Sequence, residues 1–546
     1  MPAKVNPEGD GVEPPTIRIR EFVRAHGPPT DEAAARLAEE LGMPAATLRG
    51  VAGFYADLAD EPGVRVCLGT SCLLAGSERV RRKLGEHEVP CRDVYCLGYC
   101  DRSPALLDSG GVAHLNEGAH GFVTGRESPA KRSLPDVRFR CDPPVVTRRL
   151  LNGGAATLEV ARAQGAYRSL AKALKGRPED IIEAMERSGE RGRGGAGYPT
   201  ARKWRSCAET PAERRYVIAN GDEGDPGSFI DRVLMEHDPH AILEGLALCA
   251  YAVGAREGIV FIRSEYPRAR EVMREAIREA TEAGVLGRRV LDHDFAFEVS
   301  VVTGMGSYVC GEETALLNAI EGKRGEVRLR PPFPTQYGLH GMPTVINNVE
   351  TLVNVPFIVA DGGESYARLG SPGSKGTKAL CLNHGFAKPG IVEIEFGLSL
   401  REVIEEVGGG GRDGKRLAAV LVGGPMGSVV TPDEWNVPVC YDAMRKRGIE
   451  LGHGGLVAVP EDADFRGLLA HWLRFMVDES CGRCVPCRLG SQCAANALRA
   501  RRSPEETRRR LDELFTAMEQ GSLCAFGQSM PRPMRQLIER FGDRIF

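Results

Sequence analysis

Four cysteines constrain the C-terminal part of this 546-residue chain. Cys481, Cys484 and Cys487 stand two residues apart in Cys481-Gly482-Arg483-Cys484-Val485-Pro486-Cys487, and Cys524 lies downstream in Leu523-Cys524-Ala525-Phe526-Gly527. Three thiolates at this spacing plus one remote thiolate can close on the corners of a cubane iron–sulfur cluster. A structural zinc site more often shows two CxxC pairs, so the spacing favours the cluster over zinc. The surrounding sequence is helical in pattern. Phe465, Leu468, Leu469, Trp472, Leu473 and Met476 form one apolar stripe, and Leu511, Leu514, Phe515 and Met518 form another. Residues 460–546 are therefore expected to make a small helical bundle with the cluster at one end.

A second cysteine set lies near the N-terminus. Cys67 and Cys72 bracket Leu68-Gly69-Thr70-Ser71, and Cys96 and Cys100 bracket Leu97-Gly98-Tyr99. Two pairs on glycine-containing turns suit a two-iron cluster with two thiolates per iron, with zinc or plain buried thiols as alternatives. Cys91 breaks the spacing. The other cysteines, Cys493 among them, have no partner spacing and default to buried thiols.

The chain carries 16 cysteines, and its N-terminus lacks the apolar run of a signal peptide. These cysteines read as metal ligands and buried thiols in a reducing, cytoplasmic setting. A net charge of −3 gives no reason to expect nucleic acid. No stretch reaches the roughly 18 apolar residues of a membrane span.

Composition and periodicity divide the rest. Residues 1–15 read as a mobile arm, 16–123 as helices followed by a small strand-containing domain, and 124–157 as a linker. Across 158–355, strand patterns at 215–220, 258–263 and 297–303 alternate with helices, which indicates an α/β domain. Residues 376–456 are glycine-rich with short strand patterns and read as a small mixed domain.

Candidate binding elements cluster in the α/β region. Gly192-Arg193-Gly194-Gly195-Ala196-Gly197-Tyr198 leaves backbone amides bare, as a phosphate cradle or a flexible surface loop would. Arg193 and Lys203 add positive charge. Asn220-Gly221-Asp222-Glu223-Gly224-Asp225 follows a predicted strand, where α/β sheets bind ligands. Its acids suit ribose hydroxyls, a nicotinamide amide or a metal, and an acidic surface turn is the plainer reading. Metal is disfavoured because no histidine accompanies them in sequence. Tyr308, Gly311, Glu312 and Glu313 follow another strand, and Asn347 and Asn348 stand at a further element boundary.

In this order, these motifs closely resemble the flavin-bearing, NADH-oxidising subunit of respiratory complex I, a module shared with NAD-linked hydrogenases and formate dehydrogenases. The N-terminal cysteine region resembles that family's thioredoxin-like two-iron subunit, here fused. The resemblance implies a multidomain α/β protein. It would comprise a thioredoxin-like [2Fe-2S] domain, an FMN-binding α/β domain, a ubiquitin-like β-grasp domain at 376–456 and a helical [4Fe-4S] bundle. FMN would lie among Gly192, Arg193, Gly194, Gly195, Gly197, Asn220, Asp222, Glu223, Tyr308, Gly311, Glu312, Asn347 and Asn348. NAD(H), the substrate, would lie near Tyr198, Lys203, Asp225, Glu313 and Phe333. The cluster ligands would be Cys67, Cys72, Cys96 and Cys100 for [2Fe-2S], and Cys481, Cys484, Cys487 and Cys524 for [4Fe-4S].

Three departures stand out. Asp225 occupies a position where complex I usually has Glu. Tyr198 and Ser206 stand where aromatic residues, Phe in the first case, are common. Only 23 residues separate Cys72 from Cys96, which trims the thioredoxin-like domain. The expected activity is hydride exchange between NAD(H) and FMN, with single electrons relayed to or from partner redox subunits. The fusion favours a hydrogenase or formate dehydrogenase setting. A complex I type component, an electron-bifurcating one and a scaffold without cofactors are the alternatives.

Overall fold

The computed structural model describes residues 18–19, 21–23, 31–59, 63–124 and 134–546. The expected arm at 1–15 lies outside them, as do residues 125–133 of the expected linker.

A parallel sheet organises the middle of the chain. Its strands run in the order Glu298–Thr303, Glu257–Ile262, Tyr216–Gly221, Thr344–Asn348. Val217, Ile218, Val260 and Phe261 are fully buried, as expected of a parallel sheet covered on both faces. The helix Pro239–Val253 is apolar almost all round and lies in the interior, while Pro267–Glu282 keeps one polar face. The first strands in sequence step across the sheet in one direction, and Thr344–Asn348 then adds on the far side of Tyr216–Gly221. This reversal opens a crevice at the carboxyl ends of the two strands, where Asn220 is in register with Asn348.

The helices Asp31–Glu40, Ala45–Ala52 and Ala56–Ala59 precede the N-terminal strands but build their core elsewhere. Leu37, Leu48, Val51 and Tyr55 share a core with Ile218, Phe261, Leu316 and Leu317 of the central domain. Their apolar face is completed there because the central sheet needs cover on that side. The thioredoxin-like domain is consequently small. It has a four-stranded sheet, Cys91–Val94, Val64–Cys67, Ala105–Leu107, Ala113–Leu115, with the helix Ser77–Glu86 packed on it through Val80 and Leu84.

A six-stranded mixed sheet forms the glycine-rich domain, with Leu400–Glu402 running into the π-helical turn Val403–Val407 over one face. This is the expected β-grasp arrangement, with a sheet that extends to Pro460. It also recruits Val137–Arg140, which pairs in parallel with Gly390–Glu395. That segment falls inside the stretch expected to be linker. Beyond it, the buried Glu393 carboxylate accepts the amides of Val145, Val146 and Thr147 at 2.8, 2.9 and 2.8 Å, fixing the chain to the sheet.

The tail is helical: Phe465–Glu479, Val485–Arg499, Pro504–Gly521, Ala525–Ser529 and Pro531–Phe541. The predicted stripes form its core. Among the described residues, no helix is long and apolar enough to cross a membrane.

Candidate functional site

The crevice at the strand reversal opens into a cavity of about 760 Å³. This volume suits a cofactor together with part of a second ligand. Every flavin or nucleotide candidate except Arg193 lines it. The glycines matter sterically: a Cβ on Gly194 would lie 3.1 Å from Asn348 Cβ, and one on Gly224 would lie 2.5 Å from the Tyr308 ring. The loop and the strand ends thus present backbone to the cavity where side chains would not fit, the cradle that a flat ring and a phosphate require. Asn220 braces two walls, donating to Gly311 O at 2.9 Å and accepting from Asp222 N at 3.1 Å.

Arg193 departs from expectation. Its guanidinium is fully buried away from the cavity, paired with Glu190 and donating to Tyr366 Oη at 2.7 Å and Lys375 O at 2.9 Å. Its own amide donates to Thr351 Oγ1 at 2.9 Å. Arg193 therefore anchors the glycine loop to the protein beneath it. The cations that do line the cavity include Lys203 and Arg330, both paired with Glu313, at 3.1 and 3.0 Å. Burial opposes ionisation of Glu313, yet Lys203 and Arg330 hold its carboxyl below the ordinary range. Tyr198 and Phe333 leave about half their surface exposed, 53% and 50%, at the lining.

Of the acids in the 222–225 turn, Glu223 is buried, and Asp222 and Asp225 are half-buried at the cavity wall. Burial pushes Asp222 and Glu223 up to about 8, with neighbouring carboxylates adding to the rise. Glu223 accepts the amides of Asp231 and Arg232 at 3.1 and 3.0 Å. No histidine stands near these acids in sequence, but the fold supplies one. His453, from the β-grasp domain, lies 3.1 Å from Asp231 Oδ2 and 3.4 Å from Glu223 Oε1. Burial alone would lower its pKa, but Asp231 and Glu223 prevail and raise it to about 9. The imidazole thus sits between the two carboxyl groups, close to both. His453, Asp231 and Thr351 are cavity residues that sequence reading misses, because each lies outside the short motifs that pattern picks out.

Both cysteine sets flank this cavity. Ala525 and Phe526, next to Cys524, line it, and the Phe526 ring lies 5.7 Å from that of Tyr308. Cys481, Cys487 and Cys524 are buried, Cys484 is half-buried, and Cys493 is exposed. Burial raises the Cys487 and Cys524 thiols to about 12 and about 11, so thiolates there need compensating positive charge, which a cluster's irons provide. Around one zinc at about 2.3 Å, four sulfurs would crowd to roughly 3.8 Å from one another. Among the described residues, Glu223, Asp231 and His453 are the only three possible ligands whose donor atoms all lie within 4.8 Å of one another. No three cysteine sulfurs among the described residues come that close to one another. In the N-terminal set the thiols pair off: Cys96 and Cys100 lie 3.8 Å apart, and Cys72 is the neighbour that most raises the pKa of the buried Cys67 thiol. Paired sulfurs of this kind suit two thiolates per iron.

Comparison with known proteins agrees with this geometry. Residues 185–357 match the Nuo51 FMN-binding domain, 467–545 the NADH-ubiquinone oxidoreductase-F iron-sulfur binding region, and 19–116 the thioredoxin-like [2Fe-2S] ferredoxin. The NADP-reducing hydrogenase subunit HndC of Solidesulfovibrio fructosivorans is 40% identical over 69% of this chain and 77% of its own length. The chain belongs to this family of flavin- and iron–sulfur-bearing NAD(H) oxidoreductase subunits. It carries the family's FMN-binding, [4Fe-4S] and [2Fe-2S] regions. A subunit of the NADH-quinone oxidoreductase of Aquifex aeolicus is 40% identical over 69% of this chain and 88% of its own. The alpha subunit of the NAD-reducing hydrogenase HoxS of Cupriavidus necator is 33% identical over 91% of this chain and 85% of its own. A crystal structure of an NAD+-reducing [NiFe]-hydrogenase in the H2-reduced state covers 97% of this chain and 91% of its own, with 28% identity and a TM-score of 0.83.

Proposed function

We propose that this chain is the diaphorase subunit of an NAD-linked hydrogenase or formate dehydrogenase, exchanging hydride with NAD(H) and relaying single electrons to or from a partner subunit. One observation carries this reading. The hydrogenase alpha subunit aligns with 91% of this chain, whereas the NADH-quinone oxidoreductase relative from Rhizobium meliloti aligns with 73%. The fused [2Fe-2S] region accounts for the difference in kind.

FMN, when bound, supplies the conversion between two-electron hydride chemistry and one-electron transfer. The chain's own residues provide position and field. The amides of the glycine loop beyond Arg193, at 194–197, and the ends of the two central strands would hold the phosphate and ring. Tyr198 and Phe333 offer exposed aromatic faces to the nucleotide. Lys203, Arg330 and Glu313 fix a polar edge beside it. Cys481, Cys484, Cys487 and Cys524 hold the cluster through which electrons leave or enter. Around half-buried Cys484, Val485 and Leu489 are exposed at 54% and 53%, an apolar surface suited to a redox partner.

The complex I reading rests on the Rhizobium meliloti relative, 40% identical and covered over 96% of its length. Anaerobic affinity purification from the native host decides between the two. Co-purification of a nickel-, molybdenum- or tungsten-containing subunit supports the hydrogenase or dehydrogenase reading, and co-purification of membrane quinone-reducing subunits sinks it. A purified protein without flavin, or with clusters that NADH leaves oxidised, sinks both.

A further inference from the structure

A turn of the central domain reaches into the N-terminal cysteine set. At one end of Asp225-Pro226-Gly227, the Asp225 carboxylate lines the cavity and accepts the Tyr308 hydroxyl. At the other end, the Gly227 amide donates to Cys100 Sγ at 3.3 Å. The Asp225 carbonyl lies 4.0 Å from Cys96 Sγ. Other polar contacts to these sulfurs come from the cysteines' own domain, as with Gly98 N–H on Cys96 at 3.3 Å and Ser103 Oγ beside Cys72 at 3.4 Å.

The turn is held from both sides. Gly227 has φ +113°, a value that side chains rarely adopt, and a Cβ there would lie 2.9 Å from Val457 Cγ2. Pro226 packs so closely that a Cβ on Gly69 would lie 3.3 Å from its own Cβ. Arg232 donates to Gly98 O at 2.9 Å and covers the Tyr99 ring at 4.1 Å. The His384 amide donates to Cys100 O at 2.8 Å. Cys96 and Cys100 are buried, so the amide-to-sulfur bond is sheltered from water.

We propose that Gly227 is a positioning residue whose amide raises the reduction potential of the two-iron cluster, a role that rests on assigning that cluster to Cys67, Cys72, Cys96 and Cys100. A hydrogen bond to a ligand sulfur stabilises the more negative, reduced cluster, and exclusion of water strengthens it. The cluster is thus tuned by a domain other than the one that holds it. The same turn touches the flavin cavity, so the two cofactor sites share one stretch of backbone.

The test is a mediated redox titration of the full-length protein, followed by EPR and using dithionite rather than NADH. Gly227→Ala is expected to lower the [2Fe-2S] midpoint while the [4Fe-4S] midpoint stays in place. Asp225→Ala, which releases the turn without a backbone clash, shifts it the same way by less. Intact signals with unmoved midpoints in both variants overturn the role of Gly227. Absence of a two-iron signal in the unsubstituted protein overturns the cluster assignment instead. If Gly227→Ala loses its cluster altogether, Asp225→Ala decides: a lowered midpoint supports the role, and an unchanged one refutes it.

Discussion

Tyr308 donates its phenolic hydrogen to Asp225 Oδ1 at 2.5 Å, joining the edge of the [4Fe-4S] bundle to the turn that carries the cavity acids. Burial lifts the Asp225 carboxyl above its ordinary value, and the Tyr308 hydrogen bond pulls it back. Tyr308→Phe removes that restraint. A hydrogen bond to a charged group contributes about 1.5–3 kcal/mol, or roughly one to two pH units. The acidic limb of the pH profile for flavin reduction by NADH should move to higher pH by that amount in stopped-flow measurements. An unmoved limb would show that Asp225 does not need to be ionised.

His453 makes stability depend on pH. Its pKa is raised from 6.5 to about 9 in the fold, so its contribution is full below about 6.5 and is lost as pH rises through 9. The contribution is on the order of 3 kcal/mol at most. His453→Gln should flatten the decline in melting temperature between pH 7 and 9. Parallel curves for the two proteins would mean that the imidazole is neutral in the native state.

Arg193→Ala leaves Glu190 buried without its cation. Breaking one partner of a buried pair costs about 3–5 kcal/mol, and the glycine loop loses its anchor as well. The expected result is a lower melting temperature and substoichiometric FMN after purification. If flavin affinity fell at unchanged stability, Arg193 would be a direct ligand after all.

Cys484→Ser should abolish the [4Fe-4S] EPR signal, leaving NADH reduction of the flavin at its normal rate in a single turnover. Loss of hydride transfer in this variant would place the cluster upstream of the flavin, contrary to its position beside Phe526 and the cavity wall.

Sequence is most legible where local pattern and function coincide. The cysteine spacings, the strand-end motifs and the apolar stripes of the bundle need no tertiary information. Arg193 is misjudged from sequence because its charge alone does not say which way it points; the direction is set by Glu190, three residues earlier but deep in the interior. His453 is invisible because it meets Glu223 and Asp231 only when the β-grasp domain docks on the central sheet. The helices from Asp31 to Ala59 carry a readable apolar face, but nothing in that face names the partner it covers.

Val137–Arg140 sets a schedule for synthesis. Arg138 bonds to the Lys388 carbonyl, 250 residues onward, so the edge strand leaves the ribosome long before its partner exists. At about 5–20 residues per second, it waits on the order of tens of seconds. During the first part of that interval the thioredoxin-like domain is already made, while the Gly227 turn, 127 residues beyond Cys100, is not. The growing chain therefore passes through a stage in which its first cysteine set stands alone, without the Gly227 turn that later closes over it.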